Sequence, residues 1–96
     1  MSTKNQFSNG AIDVAGKSYQ LKYNIRAIVL FEKMTDKPFT LQSTTDWVIF
    51  LYAMLISGKP DAAITLDEFM DGITRNQLEQ AIKWTTEQME KEAEEV

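Results

Sequence analysis

The chain contains no cysteine and no histidine. Without cysteine there is no disulfide framework and no thiolate nucleophile. Without histidine the commonest metal ligand and general base is gone as well. Acid–base chemistry would fall to carboxylates, lysines or tyrosines, so the inventory predicts a protein that is not an enzyme and uses no cofactor. Basic charge is also scarce. Ten Lys and Arg stand against fourteen Asp and Glu, for a net charge of -4, and no basic stripe exists to displace counterions from phosphates. Nucleic acid is therefore not an expected partner. The apolar run Trp47 to Ile56 is about half of the ~20 residues that a bilayer span requires, so no membrane association is expected. The opening Met1-Ser2-Thr3-Lys4-Asn5-Gln6 has no apolar h-region, cleavage pattern or lipidation motif, and the expected location is the cytoplasm.

What is present is ordinary for a folded chain: 44% hydrophobic residues over 96 positions, enough for one domain with a single core. Trp47-Val48-Ile49-Phe50-Leu51-Tyr52-Ala53-Met54-Leu55-Ile56 is its organising stretch. Ser43, Thr44 and Thr45 are N-cap candidates, and Asp46 suits the positive end of a helix. Gly58 is the expected left-handed stop, and Pro60 forbids continuation. A helix apolar on every side has to be surrounded, which makes this one the predicted centre of the core.

Before it, Ile12, Val14, Tyr19, Leu21 and Tyr23 alternate with polar residues around Ala15-Gly16. Period-2 patterning predicts a two-stranded antiparallel hairpin with one buried face. Asn24 then caps a helix from about Ile25 to Thr35, with Ala27, Leu30, Phe31 and Met34 inward and Asp36 at a left-handed exit before Pro38. Beyond the central helix, Thr65-Leu66-Asp67-Glu68 forms a capping box for a short helix limited by Gly72, with Leu66, Phe69, Met70 and Ile73 expected toward the core. Thr74-Arg75-Asn76-Gln77 repeats that logic for a last helix, whose predicted core stripe is Leu78, Ile82, Thr85 and Met89. The expected fold class is α+β, mostly α: the hairpin followed by about four helices around the central one. Residues 1–9 are expected to be a mobile N-terminal segment, 10–89 the globular domain and 90–96 an acidic tail that frays, because carboxylates oppose the dipole at a helix C-terminus.

Three groups invite a functional reading. Counting back from Glu68 as the twelfth position of an EF-hand loop puts Ser57 first and Asp61 fifth, but Lys59 falls where a ligand is needed and Ala62 where Gly is needed. The capping box accounts for Glu68 without calcium. Asp67, Glu68 and Asp71 form an i, i+3, i+4 carboxylate set, yet acid–base work needs a pocket that this pattern does not show, and at a helix N-terminus such groups more often serve as dipole partners. Trp84 lies about 120° from the centre of the predicted stripe, counting ~100° per residue, so it either closes over a neighbouring helix or anchors a partner. It is the one candidate protein-interaction residue.

The segments read together carry a resemblance. Ile12-x-Val14-x-Gly16-Lys17-x-Tyr19-x-Leu21-x-Tyr23, then Arg26-Ala27, then Phe31-Glu32-Lys33-Met34-Thr35-Asp36-Lys37-Pro38-Phe39, resemble the opening of the tail assembly chaperones of long-tailed bacteriophages. In that family a short hairpin with a Gly-Lys turn leads into a helix ending in a Glu-Lys-x-Thr-Gly-Lys-like segment. An apolar helix follows, and then an Ile-Thr-Leu-Asp-Glu-Phe-like cap, matched here by Ile64 to Phe69. The resemblance spans about residues 10 to 80, and Asp36 stands where the family often has Gly. It implies a non-enzymatic protein of the infected bacterial cytoplasm that binds the tape measure protein, helps recruit major tail tube subunits and is absent from the finished virion. It carries over no catalytic or binding residue. Self-association is compatible with it. The rival readings are a small cytoplasmic adaptor or regulatory module that binds one partner through a helix groove, and a carboxylate-dependent enzyme.

Overall fold

A computed structural model describes residues 6–94; residues 1–5 and 95–96, with the parts of the expected N-terminal segment and acidic tail that fall on them, lie outside the described residues. The fold is α+β and mostly helical. Strands β1 (Phe7–Ser8), β2 (Ala11–Val14) and β3 (Lys17–Gln20) precede helices α1 (Ile25–Thr35), α2 (Thr44–Gly58), α3 (Leu66–Gly72) and α4 (Arg75–Glu94).

The sheet has three antiparallel strands in the order β1-β2-β3, not the two of the predicted hairpin. The added strand comes from a second tight turn. Asn9 and Gly10 have φ of 52° and 89°, and Ala15 and Gly16 have 52° and 83°. Two consecutive positive φ values are what a two-residue type I′ connection requires, and Asn-Gly favours it strongly. The first turn lays Phe7 opposite Ile12, and the second lays Ile12 opposite Tyr19. Ile12, Val14, Tyr19 and Leu21 are buried, as the alternation predicts.

Gly10 is fixed by packing as well as by φ. A Cβ there would lie 2.7 Å from the Trp84 ring and would also collide with the Gln20 side-chain amide.

Helix α1 begins where the Asn24 side chain accepts a hydrogen bond from the Ala27 N–H at 3.0 Å. It ends where Asp36 turns left-handed, φ 57° and ψ 38°. Its buried residues are Ala27 and Phe31; Met34, expected inside, is 40% exposed. The Ser57 hydroxyl donates to the Asn24 carboxamide oxygen at 2.7 Å, which ties the start of α1 to the end of α2.

Helix α2 is capped by Ser43, whose hydroxyl accepts from the Asp46 N–H at 3.1 Å. It buries Phe50, Leu51, Ala53, Met54 and Leu55. Phe50 lies 5.9 Å from Phe31 and 4.8 Å from Phe39, with Tyr23 edge-on at 6.1 Å. Four rings in offset and edge-to-face geometry add attraction beyond area burial alone. The helix is not enclosed on all sides, however: Trp47, Val48, Ile49, Tyr52 and Ile56 are only half-buried.

Gly58 is the last residue of α2 and is not among the positive-φ glycines. The helix stops because the Lys59 N–H folds back onto the Leu55 and Ile56 carbonyls and Pro60 follows. Gly58 serves close approach instead, since a Cβ there would collide with the Gln20 carbonyl oxygen of β3. Nearby, the Lys22 N–H donates to the Met54 carbonyl at 3.2 Å.

The inward face of α4 differs from the predicted stripe. Gln77, Ala81 and Thr85 are fully buried, whereas Leu78, Ile82 and Met89 are half-buried on one flank and Trp84 on the other. At ~100° per residue the buried face lies about 70° from the stripe the apolar spacing suggests. The polar Gln77 occupies the inner position because its hydrogen bonds are all made there. The helix also continues to Glu94 through the segment expected to fray, and Glu92 lies beside the Tyr23 hydroxyl.

Candidate interaction surface

The half-buried side of α2 forms one wall of an open apolar groove of about 520 Å³. Thr44, Thr45, Val48 and Ile49 line that wall. Leu66 and Met70 of α3 face them, and Ile73, Thr74, Arg75 and Leu78 close the groove at the start of α4. Met70 is 45% exposed, a large apolar side chain left in water.

Local chemistry sets the spacing of the walls. The Thr65 hydroxyl accepts from the Glu68 N–H at 3.1 Å, and the Glu68 carboxylate accepts from the Thr65 N–H at 2.9 Å. This capping box starts α3 and turns Phe69 into the core, which leaves Leu66 and Met70 beside it on the groove. The Tyr52 hydroxyl donates to the Ile64 carbonyl at 2.8 Å, and its ring packs on Phe69 at 5.7 Å, fastening α2 to the chain that enters α3. Burial first, and then the Glu68 charge, raise the Tyr52 pKa above its usual value.

At the far side of the α2 N-terminus, Asp46 accepts from the Lys37 ammonium at 2.8 Å and from the Gln42 N–H at 3.0 Å. The Lys37 hydrogen bond and then that of Gln42 hold its carboxyl below the usual aspartate range. The carboxylate thereby anchors the α1–α2 connection and does not reach the groove.

At the floor between sheet and α4, Gln77 satisfies every polar atom of its side chain. Its Oε1 accepts from the Thr74 N–H at 2.8 Å, and its Nε2 donates to the Gln6 and Asp13 carbonyls at 2.9 and 2.7 Å. Among the described residues, no buried side-chain polar atom lacks a partner.

Trp84 is not at this groove. It packs edge-on against Phe7, ring centroids 6.0 Å apart, and borders a separate hollow of about 440 Å³ with Asn9, Gln80, Lys83 and Glu87. Sequence reasoning missed the groove because Leu66, Met70 and Leu78 read as core-facing residues. The clue was the all-round apolarity of α2, too much surface for the remaining elements to cover. Asp67 and Glu68 fall in the first turn of α3, as dipole partners should, but Asp71 falls in its last turn, and the three do not converge on one pocket. Among the described residues no group of three or more acidic side chains could hold a metal ion, and no helix is long and apolar enough to cross a membrane. No protein-family model, curated protein or solved structure matches this chain.

Proposed function

We propose that this chain is a non-enzymatic tail assembly chaperone of a long-tailed bacteriophage, acting in the cytoplasm of the infected host and absent from the mature virion. Its partners are the tape measure protein and, through it, the major tail tube subunits. The observation that carries the protein-binding part is the open groove between α2 and α3–α4, where Val48, Ile49, Met70 and Leu78 stay in contact with water. A persistent apolar groove rimmed by polar side chains is a usual form of protein docking site. The resemblance of residues 12–39 and 64–69 to the chaperone family supports the more specific assignment. An adaptor that takes one partner's helix in the same groove is the second reading, and it shares the groove as its support.

Co-expression with a tape measure fragment separates them. The chaperone reading expects the two to co-purify, and expects Met70→Glu to abolish capture while the melting temperature changes little. Trp84→Ala tests the other hollow: a loss of about 2 kcal/mol or more in binding would make Trp84 an interface hot spot. A folded chain that captures no tape measure fragment would overturn the chaperone assignment.

A further inference from the structure

We infer that the groove takes an amphipathic helix bearing Lys or Arg along one side of its apolar stripe, laid with that basic side against α3 and α4. This rests on the groove being a protein docking site, and it names the chemistry of the occupant.

Backbone chemistry selects a helix. The walls are helical and, among the described residues, no strand borders the groove, so an extended segment would find no sheet edge to pair with there. Its N–H and C=O groups would lose water without gaining partners. A helix satisfies its own backbone and presents apolar side chains at i, i+3 or i+4, and i+7.

Charge selects the sign. At ~100° per residue, the order around α3 runs from buried Phe69 to groove-lining Leu66 and Met70, then to Asp67 and Asp71. Around α4 it runs from buried Gln77 to groove-lining Leu78 and Arg75, then to Glu79. Both helices thus carry exposed carboxylates next in order beyond the lining residues, although none lines the groove itself. The opposite wall offers Thr44 and Thr45, without charge. Among the described residues Arg75 is the single charged side chain in the lining, and it adjoins Glu79 in the order around α4. Next to the lining residues the exposed carboxylates Asp67, Asp71 and Glu79 outnumber Arg75, so the local field favours positive charge. Asp71 lies in the last turn of α3, where a carboxylate opposes the helix dipole; an incoming cation would offset that opposition.

The test uses two synthetic helical peptides with the same leucine stripe, one flanked by Lys and one by Glu, titrated against the full chain by fluorescence anisotropy. The Lys peptide is expected to bind at least about tenfold more tightly in low salt, and the preference is expected to shrink as salt rises. Asp71→Lys with Glu79→Lys should remove most of the preference, while Met70→Ser should weaken both peptides. A Lys peptide with its leucines replaced by serine should not bind. Equal or tighter binding of the Glu peptide, or a preference untouched by the double reversal, would overturn the assigned charge and leave the docking reading standing. Binding that survives both Met70→Ser and loss of the leucine stripe would place the contact outside the groove and overturn both.

Discussion

Gln77 offers the sharpest test of how sheet and helix are joined. Replacing it with Leu keeps the volume roughly constant and deletes three hydrogen bonds. The losses are unequal. Thr74 is exposed, so its N–H can turn to water. The Gln6 carbonyl keeps the Asp13 N–H at 2.9 Å. The Asp13 carbonyl loses its 2.7 Å donor beneath a residue that is fully buried. One buried orphan at about 1–3 kcal/mol and one weakened acceptor give a total of about 2–4 kcal/mol for Gln77→Leu. At ~4–8 °C per kcal/mol for a domain of this size, the melting temperature should fall by roughly 10–25 °C. Gln77→Glu isolates the donor, because it retains an oxygen for Thr74 and sets a carboxylate against two carbonyls. Burial raises the pKa of such a group and protonation restores one donor, so its deficit should be largest at pH 7 and shrink as the pH falls toward 4. Circular dichroism melts of both variants across that range, with the exposed Gln80→Glu as control, give the answer. A Gln77→Leu variant within ~0.5 kcal/mol of the parent, or a pH-independent Gln77→Glu deficit, would refute this account.

Phe50→Ala should cost about 3–5 kcal/mol in urea unfolding, since it empties the middle of a four-ring cluster, and hydrogen exchange should be slowest in the amides of α2 around it. Ala15 holds φ 52° without the tolerance of Asn or Gly, so Ala15→Asn, which creates an Asn-Gly turn, should stabilise by about 0.5–1 kcal/mol; a destabilised variant would mean the second turn is held by something other than its own backbone. The lowered pKa of Asp46 adds stability that is fully present above the usual aspartate value of about 4 and is lost as pH falls through the lower folded value. Asp46→Asn should therefore trail the parent at pH 7 and converge on it in strong acid, and a gap that stays constant with pH would sink the assignment.

The elements whose ends are written in side chains were legible in the sequence. Asn24, Ser43, Thr65 and Thr74 cap the helices they precede, because a short polar side chain before a helical run has one common use. The groove was not legible, because spacing shows which residues share a face but not whether another element arrives to cover it. β1 escaped for a different reason. Asn9-Gly10 is a strong turn signal, but a strand of two residues, Phe7–Ser8, is too short to show alternation. The inward face of α4 was misplaced because a buried glutamine is rare. Its partners are the carbonyls of Gln6 and Asp13, distant in sequence and invisible to any local window.

That distance also orders events in time. Helices α1 and α2 are neighbours in sequence and can pair while a ribosome is still making the rest. The Gln77 bridge spans 71 positions to Gln6 and 64 to Asp13, and Trp84 reaches back to Phe7. Closing such long loops has to wait until α4 has emerged, at ~5–20 residues per second in bacterial and eukaryotic synthesis. Until then the Asp13 carbonyl lacks its Gln77 donor and Phe7 its Trp84 ring, so β1 waits unanchored on the side that α4 comes to occupy.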